Sequence, residues 1–186
     1  MSVHAVQVFT ALLALGAAGL AVFIVAARLL RGRFGALDDA VDAVDDAALW
    51  IAFLVAAVAM AGSLYFSEVA DYIPCRLCWF QRIAMYPLAV ILLVAAIRGD
   101  RGVRWYAAPL AALGACVSVY HYLVEWHPQL EGSACDPTNP CSLVWFREFG
   151  FVTLPLMALC GFVAIIALVL PTSRRELDDA AQRLVA

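Results

Sequence analysis

Two cysteines three positions apart open an apolar run in Pro74-Cys75-Arg76-Leu77-Cys78-Trp79-Phe80-Gln81-Arg82. Proline is tolerated in the first turn of a helix, where its missing N–H has no intrahelical partner, and the aromatic pair Trp79-Phe80 marks a membrane-entry level. The spacing predicts a helix beginning at the motif, with Cys75 and Cys78 on one face and Arg82 one turn beyond Cys78. A helix N-terminus and a nearby cation both favour thiolate over thiol. Arg82 is a permanent charge inside an apolar segment, a costly placement that marks a functional site by default. Thiols beside a buried cation point to redox chemistry.

A second pair brackets Cys135-Asp136-Pro137-Thr138-Asn139-Pro140-Cys141, where two prolines and an asparagine favour a turn. A disulfide closing so short a loop adds little conformational stabilisation, yet it places a reactive pair on an outer segment within reach of a protein partner. A purely structural disulfide is the plainer reading, and all four cysteines together could instead form a four-thiolate zinc site. His121 lies near the end of a later apolar run at about the depth of Arg82, so the two could flank one small ligand; a satisfied polar group at the interface is the alternative. Trp145 and Phe146 are expected at the interface, tethering the end of the loop near the first pair. Cys116 and Cys160 fall inside apolar runs, where free cysteine behaves as a small hydrophobe.

The elements that must position these residues are membrane helices. Of the 186 residues 65% are hydrophobic and 15% charged, with mean hydropathy +0.89, which excludes an ordinary soluble domain. All 12 basic residues are arginine and the net charge is −3 without a broad basic face, which argues against a nucleic-acid partner. Apolar runs fall at about 5–27, 47–66, 79–97, 105–124 and 149–170, long enough at roughly 1.5 Å per residue to cross about 30 Å of hydrocarbon. Five spanning helices are expected, with kinks at Pro87, Pro109 and Pro155. Gly16 and Gly19 in the first run suggest close helix packing. Asp38, Asp39, Asp42, Asp45 and Asp46 repeat at helical spacing in residues 36–46, which reads as a short solvated helix linking the first run to the rest.

No arginine precedes the first run and Arg28, Arg31 and Arg33 follow it, so it reads as a retained helix rather than a secretory signal. Placing Arg98, Arg101, Arg104, Arg174, Arg175 and Arg183 on that same side puts nine of the 12 arginines in the cytoplasm. Both cysteine pairs then face outward, where thiols are oxidised. Residues after Pro171 read as a short charged cytoplasmic helix or a disordered tail.

At these residues the chain resembles the DsbB family of membrane quinone reductases, which regenerate the periplasmic dithiol oxidase DsbA. The resemblance covers about residues 47–171: four helices, C-x-x-C in the first outer loop, a later outer pair, and arginine four residues after the second cysteine. The vitamin K epoxide reductase family is similar, but its loop pair precedes its C-x-x-C, so the order here favours the DsbB branch. The extra first helix and the five residues between Cys135 and Cys141 depart from the best-known members and resemble compact variants. The resemblance implies an all-α integral membrane four-helix bundle with one additional N-terminal transmembrane helix. It divides the chain into that helix (1–35), an acidic cytoplasmic linker (36–46), the bundle (47–171) and a tail (172–186). It also implies a bacterial inner-membrane thiol:quinone oxidoreductase using ubiquinone or menaquinone. Cys135 would form the mixed disulfide with a DsbA-like partner, Cys141 would re-form the outer disulfide and pass electrons toward Cys75, Cys78 would face the quinone, and Arg82 and His121 would bind it. A vitamin K epoxide reductase-like enzyme and a non-enzymatic protein with zinc or structural disulfides are the alternatives.

Overall fold

The computed structural model describes residues 2–30, 32, 35–132 and 135–170, and the expected C-terminal tail lies outside them. Among the described residues every regular element is helical: α1 Val3–Leu29, α2 Gly35–Glu68, α3 Arg76–Arg98, α4 Arg104–Trp126 and α5 Leu154–Val169. The protein is an all-α membrane bundle. Four helices, the fourth counted with the 3₁₀ turn Arg101–Val103 that leads into it, are long and apolar enough to cross a bilayer; α5 is shorter, with 16 residues. Helices α2 to α5 pack in sequence around a ring closed by α2 against α5, and α1 lies on the outside of that closure, mainly against α5.

Lipid offers no hydrophobic drive for helices to associate, so close packing and interhelical hydrogen bonds must hold them. Small residues supply the close approach: Ala11, Ala14 and Ala21 of α1, Ala52 and Ala56 of α2, and Ala107 and Ala111 of α4 are buried. Leu88 and Leu92 of α3 and Phe162 and Ile165 of α5 fill the middle. Gly114 of α4 is required by packing, since a Cβ there would overlap the Phe162 ring. Val22, Ile83, Val90, Ile97 and Leu113 project outward, as lipid-facing side chains should.

Several expectations are corrected. Gly16 and Gly19 are not packing positions, because a Cβ at either would meet nothing within 4 Å. The acidic stretch is not a separate helix: α2 runs unbroken from Gly35 through it. Nor is that stretch only a wet face, because Asp45 pairs with Arg28, which also donates to the carbonyls of Ala167 (2.7 Å) and Leu170 (3.1 Å). The last helix begins at Leu154 rather than 149, because Glu148 and Val152 pair across a tight turn with Phe149 and Gly150 at φ 52° and 80°. Pro155 therefore occupies the first turn of α5, while Pro87 and Pro109 do lie inside α3 and α4.

Candidate active site

All four paired cysteines gather at one end of the bundle, where the α2–α3 and α4–α5 loops meet. An aromatic stack joins the loops: Tyr72 lies on Trp145 at 4.6 Å and on Phe66 at 5.7 Å, and Phe146 packs on Phe66 at 5.3 Å. Trp145 and Phe146 thus tether the second loop near the first cysteine pair. Gln7 of α1 donates to the Tyr72 hydroxyl at 2.7 Å, which ties the extra helix to the same end.

Helix α3 starts at Arg76, two residues beyond the proline that was expected in its first turn. Cys75 is the N-cap, its sulfur accepting from the Cys78 N–H at 3.3 Å, while Pro74 precedes the helix. The two thiols are free and in contact, Sγ to Sγ 2.9 Å. Cys75 is held down to about 4: the Cys78 thiol donates to its sulfur, and the His121 ring adds a hydrogen bond and charge, against opposing burial. The stabilised thiolate is thus Cys75, at the helix cap, rather than the cysteine one turn from Arg82.

Cys135 and Cys141 form a disulfide, Cα to Cα 5.9 Å. The pair is less accessible than a mobile outer loop would be: Cys141 is 1% exposed and Cys135 9%. The loop is internally braced, since the Thr138 N–H and hydroxyl both donate to Asp136 and hold its carboxyl below the usual range. Glu131 accepts from the Cys141 N–H and from the Ser142 hydroxyl. The loop is also fastened to the C-x-x-C entry, because Asn139 Nδ2 donates to the Pro74 carbonyl at 3.1 Å. Cys75, Cys135 and Cys141 share one buried cluster with Leu77 and Val124. Four thiolates are not available to zinc in this state, as two sulfurs are bonded to each other.

His121 bridges the two pairs. Its Nε2 lies 3.1 Å from the Cys141 carbonyl, which only accepts, so Nε2 carries the proton there; the same atom faces Cys75 Sγ at 3.6 Å. Among the described residues His121 Nδ1 is buried without a hydrogen-bond partner, as is Glu125 Oε2 one turn further along α4. Sequence reasoning passed over Glu125, although its place four residues after His121 on an apolar helix was the available signal.

Arg82 points elsewhere, into a cavity of about 460 Å³ whose lining includes Cys78, Gln81, Arg82 and Tyr86 of α3 and Ser63 of α2. The Arg82 guanidinium donates to the Ser63 carbonyl at 3.0 Å and lies 5.3 Å from the Trp79 ring. Tyr86 donates to the Ser63 hydroxyl at 3.2 Å. His121 is not part of this lining, so the expected flanking of one ligand by Arg82 and His121 is not what the geometry gives. Cys78 alone among the paired cysteines opens onto the cavity, while its neighbour Cys75 faces His121 and the disulfide loop.

The profile of a family described as disulfide bond formation protein DsbB matches residues 45–172. The chain belongs to the DsbB family. The match starts within α2 and takes in α3, α4 and α5, leaving α1 outside it. Disulfide bond formation protein C of Bacillus subtilis (strain 168) is 47% identical over 119 residues, 63% of this chain and 86% of that protein. A probable disulfide formation protein of Oceanobacillus iheyensis is 42% identical over 130 residues, covering 69% of this chain and 90% of its own length. Another from Deinococcus radiodurans is 42% identical over 147 residues, 73% and 95% respectively. No solved structure matches the chain. Family and fold together make this a membrane protein of disulfide bond formation, with the chemistry of a disulfide oxidoreductase.

Proposed function

We propose that this DsbB-family protein is a thiol:quinone oxidoreductase of the bacterial cell membrane that reoxidises a DsbA-like, thioredoxin-fold dithiol oxidase on the extracytoplasmic side. The observation that carries the reading is the division of the C-x-x-C pair: Cys78 opens onto an apolar cavity containing a guanidinium, and Cys75 meets the disulfide loop through His121. Exchange between dithiols proceeds by a thiolate attacking a disulfide sulfur. A partner thiolate attacks Cys135 Sγ, which belongs to the more exposed cysteine of its pair, and Cys141 leaves as thiolate; the second partner thiol then displaces Cys135 and the partner is oxidised. With Cys75 and Cys78 joined, the Cys141 thiolate attacks Cys75, Cys78 leaves as thiolate, and Cys135 closes back onto Cys141. The two electrons then rest on Cys75 and Cys78.

The cavity suits a lipid-soluble quinone, ubiquinone or menaquinone, because one end offers Arg82, Tyr86 and Ser63 to ring oxygens and the remainder is apolar. A bound quinone supplies the acceptor of two electrons and two protons. Arg82 is placed to donate to a carbonyl oxygen and to balance negative charge developing there, and Cys78 is the sulfur in reach. Purified protein given a reduced thioredoxin-fold partner and quinone tests the reading by ring absorbance. Cys78→Ser abolishes quinone reduction, and Cys135→Ser with Cys141→Ser abolishes it with the partner but retains it with a small dithiol that reduces the motif pair directly. Undiminished turnover with the partner in either variant overturns the relay.

A further inference from the structure

We infer that α1, the helix outside the family match, is the wall of the cavity that selects the quinone by its tail; the inference rests on the cavity being the quinone site. Four helices line the cavity, and α1 contributes seven residues, among them Thr10, Leu13, Gly16, Ala17 and Leu20. Thr10, Leu13, Ala17 and Leu20 recur at three- and four-residue spacing and form one stripe, with Gly16 beside it. The stripe has a polar and an apolar end. Thr10 sits at the level of Arg82: Gly62, which it approaches, precedes Ser63, the acceptor of the Arg82 guanidinium. From Thr10 to Leu20 the helix descends about 15 Å, roughly the length of three extended isoprene units. Over that depth α1 faces Leu54, Val55 and Val58 of α2 and Phe162 of α5, with no charged group among the lining residues below Arg82. A ring at the Arg82 end with an isoprenoid tail running down this stripe fits that distribution of polarity.

Helix α1 is also held rather than merely adjacent. Gln7 bonds Tyr72 at the ring end, and Arg28 bonds Asp45 and two α5 carbonyls at the other. Without α1 the same groove between α2 and α5 would face lipid and accept a tail of any bulk. With it the tail meets a fixed surface, and Gly16 marks where that surface leaves room, since a Cβ there meets nothing within 4 Å.

The test uses the full chain in detergent and two quinones of identical ring, one lacking a tail and one carrying a long isoprenoid tail. Binding is read directly from quenching of tryptophan fluorescence, because Trp145 lines the cavity and Trp79 lies beside Arg82. Gly16→Leu fills the open space and raises the ratio of tailed to tail-less Kd about tenfold; Leu13→Ala, which removes tail contacts without adding bulk, raises it about threefold. Comparing that ratio between variant and parent cancels each quinone's partition into detergent. An unchanged ratio in both variants, while Arg82→Gln still weakens both quinones, overturns the role of α1 and leaves the quinone site standing. If Arg82→Gln also leaves both Kd values unchanged, the cavity is not the quinone site and the underlying reading fails with it.

Discussion

Cys75 carries the chemistry at the residue scale because three donors converge on one sulfur: the Cys78 thiol, the Cys78 N–H and the His121 ring. A thiol free of such donors titrates near 8.5. With the value lowered to about 4, the thiolate persists across neutral pH and is lost only as pH falls through that value. Ultraviolet thiolate absorbance of the reduced motif pair, in a Cys116→Ala, Cys160→Ala background, should show its midpoint near 4, moving upward in His121→Ala. A midpoint near 8 to 9 in the parent would remove the cap from the mechanism. Arg82 makes a different claim. Lysine in its place keeps the charge and reaches the interface, yet lacks the planar fork. Arg82→Lys should insert normally and raise the Michaelis constant for quinone by about ten- to a hundredfold, the worth of one charge-assisted hydrogen bond of roughly 1.5 to 3 kcal/mol. Unchanged quinone kinetics in Arg82→Lys and Arg82→Gln would leave it an anchor. Arg82 was legible in the sequence because a cation in an apolar run is conspicuous. The separation of His121 from it was not, since depth along a helix says nothing about which face a side chain takes.

At the scale of elements, hydropathy locates all five helices but misplaces what joins them. The acidic stretch reads as solvated because five carboxylates recur at helical spacing; that one of them bonds Arg28 depends on α1 lying beside α2 and α5, a tertiary fact. The start of α5 was hidden likewise, because Phe149 and Phe151 are as apolar as the helix they precede while the backbone turns between them. Arg28 allows the docking of α1 to be measured. Its side chain is 6% exposed, and removing it strands the Asp45 carboxylate and two α5 carbonyls. Arg28→Ala should lower stability by roughly 2 to 4 kcal/mol, whereas Arg28→Leu combined with Asp45→Leu should recover part of that, since an apolar pair strands no charge. Thermal unfolding of both variants in detergent decides this. No measurable loss in Arg28→Ala would mean that α1 is held by shape alone.

For the whole molecule the governing feature is its polarity along the bundle axis. Arg28, Arg98, Arg101 and Arg104 stand at the end where α1 and α3 finish and α4 begins, and all four paired cysteines stand at the other. The arginine count was legible in sequence; that both cysteine loops pack into one buried site was not, because a linear spacing does not reveal the Asn139 bond to Pro74 or the His121 bridge. Orientation follows if basic residues near helix ends are retained in the cytoplasm and acids count for little. Five aspartates of α2 lie at the arginine end, so a count of basic residues alone favours that end more strongly than a count of net charge does. Reporter fusions at residues 40 and 101 should therefore remain cytoplasmic, and one at residue 130 should be exported. Export at 40 or 101 would place Cys75 and Cys135 in a reducing compartment. There a glutathione-poised cytosol would hold the loop pair open instead of letting it oxidise a partner, and the relay would have no direction to run.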